Sequence, residues 1–156
     1  MLSRILHAFA APEPQPLPEP DAKLALGALM VRVAKSDMDY QLSEISRIDR
    51  LLARLNGLKP IEAAKMRATC EKLDKAAPDT QEFGRLIRET VSMDNRVNAL
   101  EALWEVVLAD GVRREAELTI IENVCEALGL SGADNESARK MAEAGGASSD
   151  RGPLSV

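Results

Sequence analysis

Apolar residues recur at three- and four-residue spacing along most of this chain, and no segment alternates apolar with polar at period two. The pattern therefore predicts an all-α protein. Leu26, Leu29, Met30 and Val33 make one stripe on a helix expected over Ala22–Lys35, with Asp21 placed to cap it. A second helix is expected over Leu42–Asn56, closed by Gly57 in a left-handed conformation. Pro60 suits the first turn of a third, whose buried face would carry Met66, Cys70 and Leu73. Asp79-Thr80-Gln81-Glu82 reads as a capping box opening a fourth helix, with Phe83, Leu86, Ile87 and Val91 inward. Further helices are expected over 96–109, 114–128 (stopped by Gly129) and 135–144. Short connections make neighbours mostly antiparallel, so the expected architecture is a compact bundle of about six to eight helices.

Residues 100–130 echo an earlier stretch. One offset carries Asp110 onto Asp37 and Glu117 onto Glu44, and the same offset carries Leu118, Ile121, Val124, Cys125 and Leu128 onto Ile45, Ile48, Leu51, Leu52 and Leu55. Chance agreement at all seven positions is improbable, and the pattern reads as an internal duplication of a helix-turn-helix unit.

The two ends of the chain differ in character. Over residues 1–10, Leu2, Ile5, Leu6 and Phe9 form a short amphipathic helix pattern, and from Pro12 to Pro20 every second residue is proline, which favours an extended, semi-rigid spacer over 11–20. Two readings of the amphipathic segment stay open: its apolar face docks back on the body, or it meets a membrane surface or a partner. A cleaved signal peptide fits poorly, since the apolar centre is short and prolines follow at once. The helical domain is expected over 21–144, and 145–156 lacks any apolar pattern and is expected to be disordered.

Composition narrows the function classes. With 20 basic against 25 acidic residues and few aromatics, neither a phosphate-neutralising surface nor stacking platforms for nucleic acid are present. Charges interrupt every apolar run before the ~20 residues a membrane span requires. Cys70 and Cys125 lack metal-site spacing and read as small core residues of a reducing, cytoplasmic compartment. The sole histidine, His7, falls in the N-terminal segment, and no nucleophile elbow, zinc-protease motif or phosphate-cradling glycine loop occurs, so an enzyme is not expected.

The chemistry that remains is in the repeated turns. Each has an Asp at the end of one helix and a Glu seven residues on, in the first turn of the next. One reading makes the acids structural, repeated because the turn was duplicated: Asp110-Gly111 is a favoured turn pair, and the glutamates gain about 0.3–1 kcal/mol from the helix macrodipole. Capping does not explain the charge of an Asp at the last turn of the preceding helix, which is unfavourable unless a cation is near. A hard divalent cation, Ca²⁺, Mg²⁺ or Mn²⁺, would use both, with Asp37, Asp39, Glu44, Asp110 and Glu117 as candidate ligands. The spacing is not that of an EF-hand.

The stretch ALWEVVLADGVRREAEL, with its looser partner VRVAKSDMDYQLSEI, resembles the TerB-like family associated with bacterial tellurite resistance, over about residues 21–131. A TerB-like module also occurs near the membrane-proximal end of a J-domain co-chaperone. The resemblance implies a compact helical domain with an acidic face proposed to bind metal, acting with other proteins in stress responses, at the inner membrane surface in some settings. It carries the ligand role onto Asp37, Glu44, Asp110 and Glu117. The alternative is a metal-free interaction or scaffold domain docking through residues 1–10. One departure is Met38, which stands where the second copy has Gly111; a turn needing positive φ there would be reshaped.

Overall fold

A computed structural model describes residues 21–36, 40–76, 79–110 and 115–145. Among these it holds seven α-helices: α1 (Ala22–Lys35), α2 (Leu42–Asn56), α3 (Pro60–Ala76), α4 (Thr80–Thr90), α5 (Met93–Val107), α6 (Glu115–Ala127) and α7 (Gly132–Gly145), with a 3₁₀ turn at Leu108–Asp110. The expectations for 1–20, for Asp37, Met38 and Asp39, for Gly111 and for the tail beyond Gly145 lie outside the described residues.

Local chemistry sets most helix ends. Asp21 and Asp79 cap α1 and α4, accepting the N–H of Leu24 at 2.9 Å and of Glu82 at 3.0 Å. Gly57, at φ 62°, closes α2. Gly129, at φ 71°, closes α6, where the N–H of Leu130 reaches back to the carbonyl of Cys125 at 3.0 Å. Two starts fall earlier than the sequence pattern suggests. Helix α5 begins at Met93 rather than 96, because the Ser92 carbonyl already accepts the Arg96 N–H at 2.9 Å. Helix α7 begins at Gly132 rather than 135: the Ser131 hydroxyl accepts the Asp134 N–H at 3.1 Å while Asp134 accepts the Ser131 N–H at 2.9 Å. That reciprocal pair is a capping box with Asp in place of Glu.

Two helices are buried on nearly all sides. Every residue of α1 from Ala25 to Val31 is buried, and so is every residue of α5 from Ala99 to Val107. Helix α1 packs against each of α2 to α6, and α5 packs against α1, α2, α4, α6 and α7. The other helices are shells around this pair, each turning one apolar stripe inward. In α2 that stripe is Ile48, Leu51, Leu52 and Leu55; in α6 it is Ile121, Val124 and Cys125, continued by Leu128 just past its end. These are the residues that the single offset superposes, and the remaining apolar pair, Ile45 and Leu118, is half-buried in both cases.

Polar ties cross between helices. The Arg32 guanidinium on α1 donates to the Asp74 carboxylate at 2.7 Å and to the Asp74 carbonyl at 2.9 Å, and it lies 5.3 Å from the centre of the Phe83 ring. Arg54 on α2 meets Glu105 on α5 at 2.8 Å. The Trp104 indole N–H donates to Asn135 at 2.8 Å, fastening α7 to α5. No helix of the described residues is long and apolar enough to cross a membrane.

Candidate functional site: the paired inter-helix turns

Glu44 is the third residue of α2 and Glu117 the third residue of α6. Both carboxylates are buried, at 1% and 0% exposure, so these acids point into the molecule rather than onto an acidic face. Glu44 closes a capping box, its Oε1 accepting the Gln41 N–H at 3.2 Å, as the capping reading expects. Placement in a first turn puts each carboxylate against the positive end of its helix, which offsets part of the cost of burial.

The limbs of the two turns pack crosswise. The C-terminal end of α1, at Arg32, Lys35 and Ser36, shares an open cleft with Ala116, Thr119 and Ile120 of the first turns of α6, and Asp74 of α3 also lines it. Reciprocally, the 3₁₀ turn Leu108–Asp110 packs on α2. Each turn therefore has its leading limb against the trailing limb of the other.

The start of α2 is fastened separately. Tyr40 is half-buried beside Arg67 of α3, and burial pushes its hydroxyl well above the usual phenol range. Arg67 in turn donates to Asp49 at 2.6 Å and to Glu71 at 2.7 Å.

Of the five candidate ligands, Glu44 and Glu117 are thus placed by the structure. Asp37 and Asp39 lie outside the described residues, as does the side chain of Asp110, whose backbone ends the 3₁₀ turn. Among the described residues no three of His, Cys, Asp and Glu stand close enough together to hold a metal ion. The electrostatic argument for the aspartates divides between the two turns. The last turn of α1 contains Arg32 and Lys35, both drawn to Asp74, so cationic charge is already present before Asp37. The last turn of α5 and the 3₁₀ turn contain no basic residue, so Asp110 lacks that company within its own element.

Sequence reasoning passed over two further acids. Glu101 and Glu105, one turn apart on α5, are buried at 3% and 7% exposure. A signal for them was present: they are the only charged residues in a run from Ala99 to Val107 that is otherwise apolar, and a helix apolar all round buries whatever it carries. Arg54 accounts for Glu105. The two thiols hold no chemistry here. Burial pushes Cys70 up to about 12 and also raises Cys125, so both are protonated at neutral pH.

No curated protein and no solved structure matches the chain. The family model described as tellurite resistance protein TerB matches residues 23–140, from the second residue of α1 to the middle of α7. The chain belongs to the TerB family.

Proposed function

We propose that this TerB-family domain is a non-catalytic binding module whose two inter-helix turns hold a divalent cation, Ca²⁺, Mg²⁺ or Mn²⁺. Asp37, Asp39, Glu44, Asp110 and Glu117 supply the oxygen donors, and the domain works with protein partners in a bacterial stress response related to tellurite resistance. The observation that carries this reading is the equivalence of Glu44 and Glu117: each is the third residue of its helix, each is buried, and each belongs to a turn packed crosswise against the other. The position-by-position agreement in burial between α2 and α6 supports a duplicated hairpin as the origin of the pair. Two buried carboxylates, joined by the aspartates that precede them in sequence, form the kind of oxygen donor set that hard cations prefer. Where Asp110 lacks a basic neighbour in its own element, a bound cation supplies the missing positive charge.

Calorimetric titration with each of the three cations tests the reading. The unsubstituted chain should give saturable heats, and a chain carrying Asp37→Asn with Asp110→Asn should give none. Equal heats from both proteins would falsify the assignment and leave the turns as helix caps alone.

A further inference from the structure

Two outer helices carry charge of opposite sign on their solvent faces. On α3, Lys65, Lys72 and Lys75 are all exposed and follow one outward strip at intervals of seven and three residues. On α6, Glu115, Glu122 and Glu126 are all exposed and follow another at intervals of seven and four. None of the six forms an ion pair among the described residues, and α6 contains no basic residue at all. Other helices mix their surface charges: Arg67 with Glu71, Arg85 with Glu89 and Arg139 with Glu143 pair at four-residue spacing.

Solvation explains why these charges are exposed but not why they are segregated. Lys72 and Lys75 stand three residues apart and Glu122 and Glu126 four, spacings at which like charges repel along a helix. An opposite charge set beside each pair relieves that repulsion. The two helices do not supply it within one copy, because α3 packs on α1 and α2, α6 packs on α1, α4, α5 and α7, and both charged strips face outward.

We infer that copies of this chain associate through these faces, α3 of one lying parallel to α6 of another, with Lys65, Lys72 and Lys75 set against Glu115, Glu122 and Glu126 in that order. At 1.5 Å per residue the lysines are spaced by about 10.5 and 4.5 Å along the helix axis, and the glutamates by about 10.5 and 6 Å. In the parallel sense the rows therefore agree to about 1.5 Å, well within the reach of the side chains; antiparallel, the middle charges miss by about 5 Å. Small exposed residues, Ala68 and Thr119, lie between the first two charges of each row and leave room for close approach. A second copy is the fitting partner because one chain carries both rows at matched spacing. General attraction does not substitute for the pattern, since two copies of net charge −5 repel overall. Exposed ion pairs contribute little each, so the association is weak, with a Kd on the order of 0.1–1 mM. Glu117 is turned inward and takes no part, so the contact does not depend on a cation at the turns.

The test is sedimentation equilibrium of the full chain, in chelator, up to about 1 mM. The average mass should rise above 16.9 kDa with concentration, and less so in high salt, which screens exposed pairs. Two reversed chains are then compared, one with Lys65→Glu, Lys72→Glu and Lys75→Glu, the other with Glu115→Lys, Glu122→Lys and Glu126→Lys. Each alone should associate at least about tenfold more weakly, and an equal mixture should recover the association, because the acidic α3 of one then meets the basic α6 of the other. The second reversal adds six units to −5 and leaves +1, so a response to net charge alone would strengthen its self-association. A mass fixed at 16.9 kDa would overturn the contact and leave the faces to a different protein or to solvent. Stronger association of the Glu→Lys chain, or a mixture no more associated than its components, would also overturn it. Should a triple reversal lose helical content, Lys72→Glu and Glu122→Lys carry the same mixing test singly.

Discussion

At the scale of single residues, the two glycines that end helices make a controlled comparison. Gly57 and Gly129 share a left-handed backbone, yet a Cβ on Gly57 would meet nothing within 4 Å while one on Gly129 would meet two guanidiniums. Gly57→Ala should therefore cost only the conformational term, about 1 kcal/mol, and Gly129→Ala more than that, both read from urea unfolding midpoints. Gly27 poses a different constraint. Its missing Cβ leaves room for Cys70, whose Sγ would lie 2.4 Å from an added methyl. Gly27→Ala should cost about 1–3 kcal/mol through overpacking, and adding Cys70→Ala should recover part of the loss, a non-additivity that a double-mutant cycle reads directly. The same thiol gives a pH dependence. Its pKa is raised in the folded state, so the native chain keeps its proton after the unfolded chain has lost its own. The contribution is fully present below the ordinary thiol pKa of about 9 and is lost as pH climbs toward the folded value of about 12. Stability should fall across that window with a slope of up to about 1.4 kcal/mol per pH unit from this group, and Cys70→Ala should remove that slope.

At the scale of helices, how much could be read in advance depended on how each one is buried. Helices α2 and α6 present a single stripe, and their inward residues follow from spacing alone. Helices α1 and α5 are enclosed, so periodicity identifies them as helices without saying which neighbour each face meets. For that reason the Arg54–Glu105 tie between α2 and α5 and the Arg32–Asp74 tie between α1 and α3 were not legible: both partners are far apart in sequence and neither sits in a motif. The starts of α5 and α7 were missed for a smaller reason, since Ser92-Met93-Asp94-Asn95 and Ser131-Gly132-Ala133 have turn-like composition although Ser92 and Ser131 begin helices. The Arg54–Glu105 contact lends itself to measurement. Glu105 is nearly enclosed and Arg54 about a quarter exposed. Glu105→Ala leaves a partly buried cation unmatched and should cost about 2–3 kcal/mol in chemical denaturation, whereas replacing both partners with apolar residues should cost less.

At the scale of the whole molecule, the paired turns join the two enclosed helices to the shell: one links α1 to α2, the other links α5 through the 3₁₀ turn to α6. The capping chemistry of Glu44, and the equivalence of Glu44 with Glu117, could be anticipated from the seven-residue spacing. Their burial could not, because spacing along a chain does not say how two hairpins cross. If the turns share a cation, its binding is linked to global unfolding, since separating the hairpins divides the donor set, with Asp37, Asp39 and Glu44 on one and Asp110 and Glu117 on the other. A cation that binds only the folded chain stabilises it by about 2.7 kcal/mol at a hundred times its dissociation constant. For a helical body of this size, that corresponds to a rise in Tm of roughly 10 °C. Thermal unfolding followed by circular dichroism should therefore show Tm climbing with the logarithm of cation concentration, reversed by a chelator and lost with Asp37→Asn and Asp110→Asn together. A climb that the doubly substituted chain still shows at high ionic strength would trace the effect to nonspecific neutralisation of the net charge of −5. Specific binding requires that the dependence persist in salt for the unsubstituted chain and vanish when the two aspartates go.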